Sequence, residues 1–230
     1  PDTLYTCNKK NGEWDGMTYP AVLKESRYVA SGLMEMGVKK GDKISMISEG
    51  KNIWICTELG MLFAGATNVP LALKLLPEEI LFRIQHSESK AVVVSKMMLK
   101  ALAPLFDKLD RGTKLILLED SIDGMEEMLR DNNIKYGKDC FLYGDILEDG
   151  KNSWEKNEKK LVKLEEEKIQ EEDIVTISYT SGTTGDPKGI MLTHENYFHN
   201  CMDAMEYFNV NPGDRLYICI PIDHSFAHTV

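Results

Sequence analysis

The chain has 230 residues and a mass of 26.1 kDa, and its 27 Lys plus Arg against 37 Asp plus Glu give a formal net charge of −10. Such acidity excludes the broad basic face that nucleic acid or an anionic lipid surface requires. A composition of 43% hydrophobic and 28% charged residues excludes the disordered and fibrous classes, and the length suffices for a core that needs no covalent staples.

In chain order, Thr18 caps a predicted helix whose apolar positions Val22, Val29, Leu33 and Met36 recur every three to four residues, with Gly37 as its stop. A turn at Gly41-Asp42 leads to a strand from Lys43 to Ser48. Asn52 is the expected cap of an apolar helix reaching Ala64, and Ala66 to Leu71 runs extended. The interval Ile53 to Leu73 is the nearest approach to a membrane span. Glu58, Asn68 and Pro70 interrupt it, so no transmembrane segment is expected. Pro77-Glu78-Glu79 reads as a helix first turn, with proline where a donor would be orphaned and carboxylates at the positive end of the dipole. Ala91 to Val94 is a β-branched run, Met97 to Leu109 is helical and Lys114 to Leu118 is apolar again.

Alternation of continuous apolar strands with helices predicts an α/β fold, a mostly parallel sheet with helices on both faces. Glu148 to Asp173 is dense in Glu and Lys and reads as a solvated, helical face. The five cysteines, Cys7, Cys56, Cys140, Cys201 and Cys219, include no C-x-x-C pair. A reducing compartment is therefore expected. With no secretory signal pattern, that compartment is expected to be cytoplasmic. The chain opens on Pro1 and ends at Val230 without a terminating signal, which reads as a piece of a longer protein.

Asp173 to Tyr179 reads as a strand, followed by Thr180-Ser181-Gly182-Thr183-Thr184-Gly185-Asp186-Pro187-Lys188-Gly189 and a second short strand, Ile190 to Leu192. Glycines let backbone N–H groups turn inward, the four hydroxyls add donors and the lysine adds a full charge, which is the equipment of a polyanion cradle. A plain surface turn also uses Gly, Asp and Pro, but does not need adjacent alcohols and a lysine. The run is not the mononucleotide loop G-x-x-x-x-G-K-[ST], because Pro187 stands at the second glycine position and Gly189 replaces the Ser/Thr after lysine. Beyond it, Thr193 caps a predicted helix to Phe208 with Cys201, Met205 and Phe208 on its apolar side and His194 in its first turn.

Tyr179 to Gly189, continued by Ile190-Met191-Leu192-Thr193-His194-Glu195-Asn196, resembles the phosphate-loop signature of the adenylate-forming, AMP-binding enzymes: acyl- and aryl-CoA synthetases, luciferases and peptide-synthetase adenylation domains. Pro221-Ile222-Asp223-His224-Ser225-Phe226 is similar to that family's P-x-x-H-x-F segment, and Met61 to Pro70 to its apolar G-A-x-x-V-P core motif. The wording leans toward the long-chain fatty acid CoA ligase branch.

The resemblance implies ATP, Mg2+, coenzyme A and a fatty acid as small-molecule partners. It implies that Thr180, Ser181, Gly182, Thr183, Thr184 and Gly185 hold phosphates, with Thr180 also on the magnesium. Lys188 would contact the departing pyrophosphate, His224 would sit near the substrate carboxylate, and Phe226 would wall the acyl pocket. Residues 1–172 would form a first α/β subdomain, and 173–230 the phosphate-loop hairpin, the following helix and the start of the acyl pocket. The family's adenine, ribose and C-terminal lysine motifs would lie past Val230, leaving this chain the leading part of the large N-terminal domain and catalytically incomplete alone. An edge or apolar face left uncovered there would favour a homodimer. Two other readings are an acyl carrier protein ligase or amino-acid adenylation domain, and a non-catalytic nucleotide-binding scaffold.

Overall fold

Two antiparallel strands, β1 (Leu4–Lys10) and β2 (Glu13–Thr18), pair beside the main body of the fold, and Gly12 turns between them at φ +88°. The structure is a computed structural model that describes residues 3–10, 12–180, 187–211, 213–218 and 221–223. Thr18 then caps α1 (Tyr19–Glu35), its Oγ1 accepting from the Ala21 N–H at 3.4 Å, and Gly37 at φ +92° follows the helix end.

Alternating strands and helices follow: β3 (Lys43–Ile47), α2 (Asn52–Phe63), β4 (Thr67–Pro70), α3 (Pro77–His86), β5 (Ala91–Val94), α4 (Lys96–Leu102), β6 (Lys114–Leu117), α5 (Glu126–Asp131), β7 (Cys140–Leu142) and α6 (Tyr143–Lys163). The chain closes with β8 (Ile174–Thr180), β9 (Lys188–Thr193) and α7 (His194–Tyr207). Among the described residues the main sheet has seven strands in the order β7-β6-β5-β3-β4-β8-β9, parallel except for the antiparallel β8–β9 pair. This is the predicted α/β architecture.

Both faces of the sheet are apolar because successive strand residues point to opposite sides. Ile44 and Met46 of β3, Ala91 and Val93 of β5 and Ile116 of β6 share one core with Val29 and Leu33 of α1, Trp54 of α2 and Ile146 of α6. Val92, Val94, Leu115 and Leu117 point the other way, against Ile80 and Ile84 of α3 and Leu99 and Leu102 of α4. Helices cover both faces, so the strands are continuous apolar runs.

Two expectations need correction. Asn52 does not cap α2; Lys51 occupies the cap position without a side-chain bond, and Asn52 is the first helical residue. The Asn52 amide N–H donates to Asn8 Oδ1 at 3.1 Å and its Nδ2 donates to the Asp15 carbonyl at 2.9 Å. Asn8 of β1 therefore satisfies an orphan donor of α2 from outside and ties the N-terminal hairpin to the sheet. The polar stretch beyond Glu148 is also not wholly solvated. Helix α6 starts at Tyr143 and buries Ile146, Gly150, Asn157 and Leu161 against α1. Asn157 Nδ2 donates to Ser31 Oγ at 3.0 Å and to Glu35 Oε1 at 2.8 Å, which makes its burial affordable.

Candidate functional site

Strand β8 is stitched to β4 by two threonines. Thr67 Oγ1 donates to the Ile174 carbonyl at 2.8 Å, and Thr176 Oγ1 to the Asn68 carbonyl at 3.0 Å. The chain leaves β4 through α3 toward β5, on one side, and leaves β8 toward β9, on the other. Adjacent strands whose connections diverge open a crevice at their C-terminal ends, where ligands of open α/β sheets bind. The glycine-threonine run begins at that end of β8.

The hairpin that carries the run is regular at its base. Tyr179 pairs with Gly189 and Thr180 with Lys188, so the first alcohol and the lysine stand opposite each other at the mouth, both exposed. Gly189 is required by packing: a Cβ there would lie 2.9 Å from Ile177 Cγ2 and 3.4 Å from Tyr179 Cζ. The far end of β9 is pinned by a reciprocal cap. The Asn196 N–H donates to Thr193 Oγ1 at 3.2 Å and the Thr193 N–H to Asn196 Oδ1 at 3.0 Å. His194 begins α7 as expected, its N–H donating to the Asp173 carbonyl at 3.2 Å.

Sequence reasoning missed the underside of the hairpin. The Tyr179 phenol lies 2.7 Å from His86 Nδ1 and donates to the Arg83 carbonyl at 3.3 Å, while the Arg83 guanidinium sits 5.6 Å from the Tyr179 ring centroid. Arg83 is buried, its Nη1 donating to the Glu79 carbonyl at 2.9 Å. Burial pushes the Tyr179 phenol up against the opposing pull of Arg83 and Ser87, so it stays protonated at neutral pH and can donate. About ninety residues of chain separate α3 from β8, and no local pattern announces such a pair.

Of the predicted site residues, the structure brings Thr180 and Lys188 together. Ser181, Gly182, Thr183, Thr184 and Gly185 lie outside the described residues, as do His224 and Phe226. The described start of the latter segment, Pro221 to Asp223, carries Ile222, which packs beside Gly50 just past the C-terminal end of β3. That end of β3 belongs to the same sheet edge as the mouth of the β8–β9 hairpin, since β3, β4 and β8 are parallel. In α7 the expected apolar face is left exposed: Cys201, Met205 and Phe208 are all open to solvent, and no described residue of the helix is buried. No helix among the described residues is long and apolar enough to cross a membrane.

The sequence family of AMP-binding enzymes matches residues 1–230. The chain belongs to that family. It is 30% identical over 215 residues to a chloroplastic long-chain-fatty-acid–[acyl-carrier-protein] ligase of Arabidopsis thaliana, covering 91% of this chain and 28% of that one. It is 29% identical over 237 residues to long-chain-fatty-acid–CoA ligase 5 of Mus musculus, covering 96% and 32%. This AMP-binding chain thus spans about a third of the length of the curated relatives it matches. Among solved structures, a long-chain-fatty-acid–CoA ligase from Archaeoglobus fulgidus superposes with a TM-score of 0.69 at 20% identity, covering 96% of this chain and 39% of that one. The N-terminal domain of FACL13 from Mycobacterium tuberculosis gives 0.69 at 22%, covering 94% and 47%. These likenesses show that the fold is that of the family.

Proposed function

We propose that this chain carries the triphosphate-gripping hairpin of an enzyme that activates a fatty acid by adenylation and passes the acyl group to a thiol. The observation that carries the reading is the pairing of Thr180 with Lys188 across the mouth of a hairpin whose connection is Ser181-Gly182-Thr183-Thr184-Gly185-Asp186-Pro187, set at a topological switch point. Charge, alcohols and small residues converge where a crevice opens.

In the first half-reaction a carboxylate oxygen attacks the α-phosphorus of ATP, and the bond from that phosphorus to the β-bridging oxygen breaks as pyrophosphate leaves. In the second, a thiol attacks the acyl-adenylate carbonyl, AMP leaves with the bonding pair and the thiol proton passes to solvent. Such transfers need positioning and charge neutralisation more than covalent help from side chains. Lys188 holds its ammonium toward the β- and γ-phosphates, where negative charge grows as pyrophosphate departs. Thr180, Ser181, Thr183 and Thr184 with the Gly182 and Gly185 amides supply hydrogen bonds to the same oxygens, and His224 and Phe226 line the acyl side.

Among the described residues no group of three His, Cys, Asp or Glu could hold a metal by itself. Mg2+ suits such a site, because it takes most of its ligands from substrate phosphates and water, with the Thr180 hydroxyl as a protein oxygen. When bound, it would neutralise phosphate charge. Coenzyme A is the acceptor in this reading, following the CoA ligases among the relatives. Acyl carrier protein is the second acceptor to consider, given the 30% identity to a ligase of that kind. The division at residue 172 into an α/β part and a hairpin-bearing part belongs to the same reading.

The test is pyrophosphate–ATP exchange by the complete protein that carries these residues. Label should enter ATP when palmitate is present, and coenzyme A should then yield the thioester and AMP. Exchange driven by amino acids and not by palmitate, or none with any acid, would overturn the reading.

A further inference from the structure

Resting on that reading, we propose that Tyr179 is a positioning residue that fixes the phosphate loop to α3 through His86 and Arg83. Tyr179 is the penultimate residue of β8, directly before Thr180, so whatever holds its ring sets where the loop departs. Three contacts hold it from one helix. Its Oη meets His86 Nδ1 at 2.7 Å and donates to the Arg83 carbonyl at 3.3 Å, and the Arg83 guanidinium approaches the ring. A phenol has one proton to give. With that proton on the Arg83 carbonyl, His86 must present Nδ1–H to the phenol oxygen, so the pair satisfies both groups in a single arrangement.

The helix side is fixed in its turn. Arg83 is buried with its Nη1 on the Glu79 carbonyl, and Ile80 and Ile84 beside it anchor α3 in the core under the sheet. Phe82 stacks on the His86 ring at 5.3 Å and limits its rotation. Gly189 pairs with Tyr179 across the ladder, and a Cβ there would come to 3.4 Å from the ring, an ordinary contact distance, so β9 also lies against the ring. The ring is therefore held by a packed helix and the neighbouring strand together, which is more constraint than a half-buried tyrosine needs for its own burial. A loop rich in glycine gains most from such a fixed root, because its ordering entropy must be met when the phosphates bind.

The experiment measures KM for ATP, KM for the acid, kcat and melting temperature in the complete protein. Tyr179→Phe should raise the ATP KM roughly three- to tenfold, the range for one lost hydrogen bond, with the acid KM and the melting temperature near the parent values. His86→Leu, at an exposed position where misfolding is no explanation, should do the same, and His86→Gln, which keeps a polar atom in reach, should restore much of the loss. Lys188→Ala separates the two levels. An unchanged ATP KM in Tyr179→Phe and His86→Leu, alongside a lowered kcat or a raised ATP KM in Lys188→Ala, overturns the positioning role alone. Unchanged ATP KM and kcat together in Lys188→Ala overturn the phosphate-loop reading and this proposal with it.

Discussion

Gly150 of α6 lies so close to Tyr28 of α1 that a Cβ added to it would overlap the Tyr28 carbonyl oxygen. Gly32 of α1 faces the Ile146 carbonyl in the same way, so the two helices meet backbone to backbone at two points. Helices normally keep side chains between their axes, and here small residues remove that spacer. Gly150→Ala should force α1 and α6 apart and cost about 1–3 kcal/mol, the usual range for overpacking. Gly144→Ala in the same helix meets nothing within 4 Å and should be neutral or slightly stabilising. Urea unfolding of the two variants checks this, and equal midpoints would contradict the close crossing.

Thiol reactivity follows burial. Cys56 and Cys140 are buried, and burial pushes their thiols up to about 12 and about 11, with Glu25 adding to the first and Asp139 to the second. Cys7 and Cys201 are exposed, although partial burial also raises the latter. Mild alkylation followed by peptide mapping should label Cys7 and Cys201 in the native protein and reach Cys56 and Cys140 only after denaturant is added. Native labelling of Cys56 would mean that α2 opens from α1 far more readily than its packing implies.

Much of this architecture was legible because local and global signals agree. Val92, Val93 and Val94 announce a strand covered on both faces, and Thr18, Pro77 and Thr193 stand where helix starts require them. Asn52 was not legible as a first helical residue because its N–H is satisfied by Asn8, forty-four residues away. The N-terminal hairpin went unread although Asn11-Gly12 is a strong turn signal, since its strands are exposed and lack a core-facing period. At the site, the loop was legible because its chemistry is concentrated in ten consecutive residues. The Arg83–His86–Tyr179 contact was not, because it is a product of strand order, with β8 inserted beside β4 after three intervening strands.

Asp173, just before β8, forms an ion pair with Lys40 at 2.5 Å and accepts from the Gln170 N–H at 2.7 Å. Burial raises its carboxyl, but Lys40 and the Gln170 N–H outweigh that, and the net shift is downward. A carboxyl lowered on folding stabilises the native state fully above its unfolded value, near 3.9, and the contribution disappears as pH falls through the folded value. Asp173→Asn should therefore be less stable than the parent at pH 7, by under about 1 kcal/mol because both groups are a third exposed. The gap should close as pH falls from neutrality through the folded value. Urea midpoints across that range check it, and a gap that widens in acid would contradict the sign.

Lys188 is exposed at the start of β9 and makes no packing contribution that a smaller side chain could not replace. Removing it should leave stability within about 0.5 kcal/mol of the parent, the usual spread for surface changes. Its effect should fall on catalysis. An ammonium facing departing pyrophosphate is worth more in the transition state than in the ground state, because charge accumulates there as the bond to the α-phosphorus breaks. Lys188→Ala should lower kcat for adenylation roughly ten- to a hundredfold, the range for a hydrogen bond to a charged group. Lys188→Arg should recover only part, since a planar fork does not reproduce a compact charge at one point. Single-turnover formation of the acyl-adenylate isolates this step from product release. If Lys188→Ala raises KM for ATP and leaves the single-turnover rate intact, the lysine binds triphosphate uniformly and does not stabilise the leaving group.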